Sequence, residues 1–276
     1  MSKVFDIEPH EYIRGELLEH HFADSTSSIF YCKIDHVLHF LDTVGGYIKS
    51  PFVLVTHNGD LPVSQQLVDY AKSVPFLKKW FGQNINCNPD SLVHSIPIGL
   101  ENDYNFPELQ KRRKLRDKVV QEAATPTIPS RLLYLNYSFS TNRIEREYAW
   151  KASKANLKKE TITDKCVDSI SQSEYISWLD DVAHHHYVLC PKGNGLDTHR
   201  LWETLYLGRI PIVKIDTNNT YYEQLPILFV NDWSEVTEHL LRENINRFSI
   251  TENFNIETLK FSWWKEKIAT TLKDLS

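Results

Sequence analysis

The 276-residue chain has no run of about 18 apolar residues, the length a membrane-spanning helix requires, so it encodes no such span. Its opening, MSKVFDIEPHEYIRGE, carries no apolar core of a secretory signal. A soluble, cytoplasmic protein is therefore expected. Basic charge is also in short supply: 31 Lys and Arg against 36 Asp and Glu leave a formal net charge of -5. That argues against a nucleic-acid binder, which needs a basic face to neutralise phosphates. The most basic stretch, Lys111 to Lys118, is read as a solvated helix face or linker. The four cysteines, Cys32, Cys87, Cys166 and Cys190, form no CxxC pair and no zinc spacing, which suits reduced thiols. In that setting the sequons at Asn136 and Asn218 are chance matches. There is no internal repeat, and no G-x-G-x-x-G follows the first strand pattern, which counts against a dinucleotide-dependent oxidoreductase.

What is present is an ordinary globular composition, 41% hydrophobic and 24% charged, on a chain long enough for two lobes. Strand patterns at Ile29 to Ile34 and Phe52 to Thr56, a helical stretch Ser64 to Ser73 and the apolar run Ser95 to Leu100 predict a parallel α/β lobe over residues 1–125. The breaker cluster Thr125 to Ser130 (TPTIPS) marks a boundary, and residues 126–276 form a second lobe. There, LLYLN (Leu132 to Asn136) reads as a buried strand and Asn142 to Ser153 as a helix. YVLC (Tyr187 to Cys190), a helix from about Asp197 to Leu207 and IPIVKI (Ile210 to Ile215) make a βαβ unit. A strand Ile227 to Val230, an amphipathic helix Trp233 to Glu243 and a last helix Ile256 to Leu272 complete the reading.

The loop Pro191 to Thr198 (PKGNGLDT) leaves the carboxyl end of a strand and enters a helix, where open parallel sheets bind ligands. Gly193 and Gly195 would let backbone approach a diphosphate, and the free N–H groups and dipole at the helix start, around Asp197, Thr198 and His199, favour an anion. Lys192 and Arg200 can add charge-assisted hydrogen bonds. Glu203 lies three residues beyond Arg200 on the same face, and as an acceptor-only group it suits the two hydroxyls of a ribose. The competing reading of that spacing is an intrahelical Arg200–Glu203 ion pair.

The run HYVLCPKGNGLDTHRLWETLYLGRIPIV resembles the donor-binding signature of exostosin-like glycosyltransferases and, more loosely, that of α-1,3-fucosyltransferases. LNYSFSTNRIERE (Leu135 to Glu147) is similar to the segment that opens the donor lobe in related bacterial and viral proteins, and the size is close to that of short viral and bacterial xylosyltransferases. The resemblance, which extends weakly to THNGD and IPIGLEN in the first half, implies a GT-B-like α/β fold, two Rossmann-type lobes facing a central cleft. It implies Arg200 on the donor phosphates and Glu203 on the ribose. Asn142, Arg143 and Arg146 stand at a helix start in the same lobe, Arg146 being the preferred phosphate partner and surface charge the competing reading for either arginine. It also implies an inverting transfer from a nucleotide sugar, UDP-xylose first and GDP-fucose as the alternative, to a glycan acceptor. A nucleotide- or glycan-binding module without turnover is the rival reading.

An inverting transferase needs a base on the acceptor side. The turn after the Phe52 to Thr56 strand supplies Asp60 as first choice and His57 as second, although Asn58-Gly59-Asp60 is also ordinary turn chemistry. His184 to His186 point in different directions and lack a supporting carboxylate or cysteine, and Asp180-Asp181 is not an Asp-x-Asp pair, so neither a metal nor another cofactor is expected. The tryptophans are read mostly as core, with Trp202 turned inward, and the last helix is expected to pack back on the first lobe.

Overall fold

The computed structural model describes residues 7–23, 28–102, 117, 129–168, 175–248 and 254–274. Apart from Asp117, Pro129 and Ser130, the basic stretch Lys111 to Lys118 and the boundary cluster Thr125 to Ser130 lie outside them. The chain is an α/β protein built on two parallel sheets. The first contains β1 (Ile29–Lys33), β2 (Phe52–His57), β4 (Leu77–Gly82) and β6 (Val93–Ser95), side by side in chain order. Every residue of β2 is buried, as expected of a central strand covered on both faces. One face packs on the helices Val37–Thr43 and Gln65–Ala71, the other on Gly15–Ala23 and the last helix, Phe261–Asp274. A short parallel pair, β3 (Val63–Ser64) with β5 (Ile85–Asn86), lies beside it.

The second sheet runs β11 (Leu228–Val230), β10 (Ile210–Lys214), β9 (His185–Leu189), β7 (Arg131–Leu135), β8 (Ile162–Asp164). After β7 the chain steps to β8 on one side and then to β9 on the other, so the direction of winding reverses between β7 and β9. Ligands of doubly wound sheets lodge at such a switch point, beyond the strands' carboxyl ends. Helices Tyr175–Ala183 and His199–Tyr206 cover one face, and Arg143–Asn156 and Glu238–Phe248 the other.

Buried polar bridges join the two sheets. Asn84, held at φ 58°, accepts from Asp197 N at 2.8 Å. Asn218 Oδ1 accepts from Ile85 N and Ser95 Oγ, each at 2.9 Å, and Tyr206 OH accepts from Ile13 N at 2.9 Å. With its side chain spent in this way and the residue buried, the Asn218 sequon is a packing element.

Several elements differ from the sequence reading. The amphipathic segment from Trp233 is two pieces: a capping box between Asp232 and Glu235 closes the short turn Trp233–Glu235, Val236 is extended and fully buried, and the helix is Glu238–Phe248. The last helix is likewise split, because Lys260 is extended and bridges Tyr12 between the turn Ile256–Leu259 and the helix Phe261–Asp274. Within the apolar run Ser95 to Leu100, only Ser95 belongs to a strand; Gly99 turns the chain at φ +69°.

Candidate functional site

A cavity of about 690 Å³ opens between the two sheets. Its lining comes from segments that follow the carboxyl ends of parallel strands: Asp60 after β2, Ile98 and Glu101 after β6, Asn136 and Thr141 after β7, Lys165 to Val167 after β8, and Gly193 to Glu203 after β9. The helix Tyr175–Ala183 adds Ser177, Trp178 and Asp181, and the helix Arg143–Asn156 adds Arg146. The space therefore straddles the β7/β9 reversal.

Two guanidiniums meet on its second-sheet wall. Arg200 lies over the rings of Trp178 and Tyr137, 5.1 and 5.9 Å from their centroids, and its Nη1 is buried with no hydrogen-bond partner. Arg146 also lies over Tyr137, at 5.8 Å, and donates from Nη1 to Ser138 O at 2.6 Å and from Nε to Lys192 O at 3.2 Å. Burial, reinforced by the nearby charge of Arg200, lowers the Arg146 pKa to about 10. Among the described residues no carboxylate forms an ion pair with either arginine. Two cations held close together, neither in an ion pair among the described residues, can accept an anion.

The glycine loop is shaped by protein packing. A Cβ on Gly193 would come within 2.8 Å of Arg146 Nη2, and one on Gly195 within 2.8 Å of Asn84 Nδ2, so both glycines admit neighbouring side chains. Thr198 caps the helix His199–Tyr206 without a side-chain hydrogen bond. Glu203 is buried on that helix and lines the cavity. Trp202 turns inward and is fully buried.

Asp197 also lines the cavity, but its oxygens are occupied by the protein. They accept from Ile98 N at 2.9 Å, Thr198 N at 2.8 Å and Trp202 Nε1 at 2.8 and 2.9 Å. Burial raises its pKa to about 7 against the pull of those donors. Through Ile98 N on one side and Trp202 on the other, the carboxylate joins the two sheets. Asn142 caps the helix Arg143–Asn156 and holds the glycine loop through Nδ2 to Gly193 O at 3.1 Å. Arg143 is exposed and pairs with Glu147 and Asp168 at 2.7 and 3.0 Å, outside the lining. Lys192 faces a separate space of about 70 Å³ on the other side of the loop, which it shares with Asp216.

On the first-sheet side, Asp60 is exposed and lines the cavity. His57 does not: its ring is buried, with Nε2 3.0 Å from Pro97 O and Nδ1 3.1 Å from Asn58 Oδ1, and burial lowers its pKa. Of the two candidate bases on this turn, only Asp60 therefore reaches the cavity; Asn58, at φ 60°, turns the chain between them. His185 is spent on Asp181 O and Thr163 Oγ1, at 2.6 and 2.8 Å. Among the described residues no group of three His, Cys, Asp or Glu is placed to hold a metal ion, and no helix is long and apolar enough to cross a membrane.

Sequence reasoning gave no role to the far end of the cavity. There Asn136 donates to Tyr134 OH at 2.7 Å, Tyr134 donates to Asp181 Oδ2 at 2.8 Å, and Lys165 pairs with the same oxygen. Nor did it single out Asn84 or give the side chain of His199 a role. Each comes from a separate stretch of chain, and the one available cue was position just beyond a strand's carboxyl end. No protein-family model matches the chain, and no curated protein matches it.

Proposed function

We propose that the chain is an inverting, metal-independent glycosyltransferase of the two-lobed GT-B type, with the first-sheet lobe taking a glycan acceptor and the second-sheet lobe a nucleoside-diphosphate sugar. The observation that carries this reading is the pair formed by buried Arg146 and half-buried Arg200, whose Nη1 is buried without a partner; neither makes an ion pair with a carboxylate among the described residues, and both line a cavity at the strands' carboxyl ends. The diphosphate sits against Arg200, Arg146 and the amino end of the helix His199–Tyr206, and Glu203 takes the ribose hydroxyls. Asp60, across the cavity, accepts the proton of the acceptor hydroxyl as that oxygen bonds to the anomeric carbon and the diphosphate departs with the electron pair. UDP-xylose is the first donor to test and GDP-fucose the second.

The test is turnover of these donors with a glycan acceptor in the presence of a chelator, alongside binding of the free diphosphates. Asp60→Asn is expected to lower transfer by roughly a hundredfold or more while leaving UDP binding unchanged. Binding without turnover in the unaltered protein supports the binding-module reading instead. If no nucleoside diphosphate raises the melting temperature, the nucleotide reading fails.

A further inference from the structure

One polar side chain in the cavity has no part in the reading above. His199 opens the helix His199–Tyr206 and lines the cavity beside Arg200. Its Nδ1 lies 2.7 Å from Gly99 O, a carbonyl that can only accept, so Nδ1 carries a hydrogen. Its Nε2 makes no hydrogen bond among the described residues. The position of that carbonyl depends on glycine: Gly99 has φ +69°, and a Cβ there would stand 2.1 Å from Ile13 O. The first sheet's glycine turn thus orients an imidazole that starts a helix of the second.

Charged and titratable groups surround the ring from several elements. Asp197, Arg200 and Glu203 belong to its own segment, and Arg146 comes from the helix Arg143–Asn156. Asp60 and Glu101 face it from the first-sheet loops, and the ring interacts electrostatically with His57 of β2. A diphosphate bound on this wall favours the imidazolium over the neutral ring, because opposite charge stabilises the charged form.

We propose that His199 is a catalytic contact to the departing diphosphate: Nε2 takes up a proton as the nucleotide binds and donates a hydrogen bond to the phosphate oxygen that leaves the sugar. This rests on the nucleotide-sugar reading of the cavity. The anomeric carbon–oxygen bond breaks with its electron pair going to that oxygen, and the acceptor oxygen forms the new bond and loses its proton to Asp60. The imidazolium keeps its proton through the step and returns it to solvent when the diphosphate dissociates.

Calorimetric titration with UDP at about pH 8, where its terminal phosphate (pKa about 6) is already ionised, tests this in two buffers of different ionisation enthalpy. The unaltered protein is expected to take up as much as about one proton per UDP. His199→Asn keeps a donor for Gly99 O, and is expected to abolish the uptake and weaken UDP binding roughly tenfold, the loss of one charge-assisted hydrogen bond. His199→Gln places an amide N–H near the phosphate without a titrating proton, so affinity recovers in part and the uptake does not. It also supplies the comparison if the asparagine variant melts early.

Equal uptake and equal affinity in both variants overturn the assignment. If UDP binds the unaltered protein with no proton uptake, the assignment falls while the nucleotide reading stands. If neither UDP nor inorganic pyrophosphate binds it, both fall.

Discussion

Replacing Arg200 with methionine should move stability and binding in opposite directions. In the free protein, Arg200 Nη1 is buried without an acceptor, and the guanidinium lies near the like charge of Arg146. An unpaired buried donor costs about 1–3 kcal/mol. Against this stands the loss of its contacts with the Trp178 and Tyr137 faces, about 1 kcal/mol in total, part of which a thioether on the same rings restores. The variant without ligand is therefore expected to be as stable as the parent or more stable by about 1–2 kcal/mol, which raises the melting temperature by a few degrees at this chain length. UDP affinity is expected to fall roughly a hundredfold, the worth of one to two hydrogen bonds from a guanidinium to phosphate. Thermal melts with and without UDP, followed by calorimetry, read both quantities. A variant that melts more than about 5 °C lower while binding UDP normally would refute the reasoning, since Arg200 would then be a structural residue.

Arg146→Met is expected to behave differently, losing about 2–4 kcal/mol in chemical unfolding, because Ser138 O and Lys192 O lose their donor; unchanged stability would count against that role. Gly195→Ala should cost about 2–4 kcal/mol by pushing Asn84 off Asp197 N, whereas Gly46→Ala, where a Cβ meets nothing within 4 Å, should be neutral or slightly stabilising; equal effects would remove the packing argument. His94, packed among Phe81, Tyr221 and Trp264, has its pKa lowered from 6.5 to about 4, chiefly by burial and then by the Lys267 amine. The unfolded chain then binds more protons in that window, so this contribution is fully present above pH 6.5 and is lost as the pH falls toward about 4, by at most about 3 kcal/mol; His94→Gln should flatten that part of the stability curve, and an unchanged slope would refute the assignment.

Local pattern carried much of the fold. FVLVT, LLYLN, YVLC and IPIVKI all lie in strands or at their ends, because parallel strands covered on both faces read as unbroken apolar runs. The strand Leu77–Gly82 gave no such run: Lys78 and Lys79 interrupt it, and Lys79 remains polar at its tip by donating to Ser91 O. The splits after Glu235 and at Lys260 were equally hidden, since a buried valine and a bridge to Tyr12, distant in sequence, override helical spacing. At the site, Arg200 and Glu203 could be placed from spacing on one helix, because i and i+3 share a face whatever surrounds them. The bonds of Asp197 were hidden for the opposite reason: one of them comes from Ile98 N, which spacing within the loop cannot supply.

The sequence alone determined the parallel α/β class, the turn that bears Asp60, and the glycine loop that leads into the Arg200 helix. These depend on burial patterns and backbone geometry within a few residues. Only the tertiary structure decided the strand order that reverses between β7 and β9, the meeting of Arg146 with Arg200, the burial of His57, and the carbonyl of Gly99 against His199. Each of those joins groups far apart along the chain, and such contacts are set by how the layers close on one another, a quantity that no local window contains.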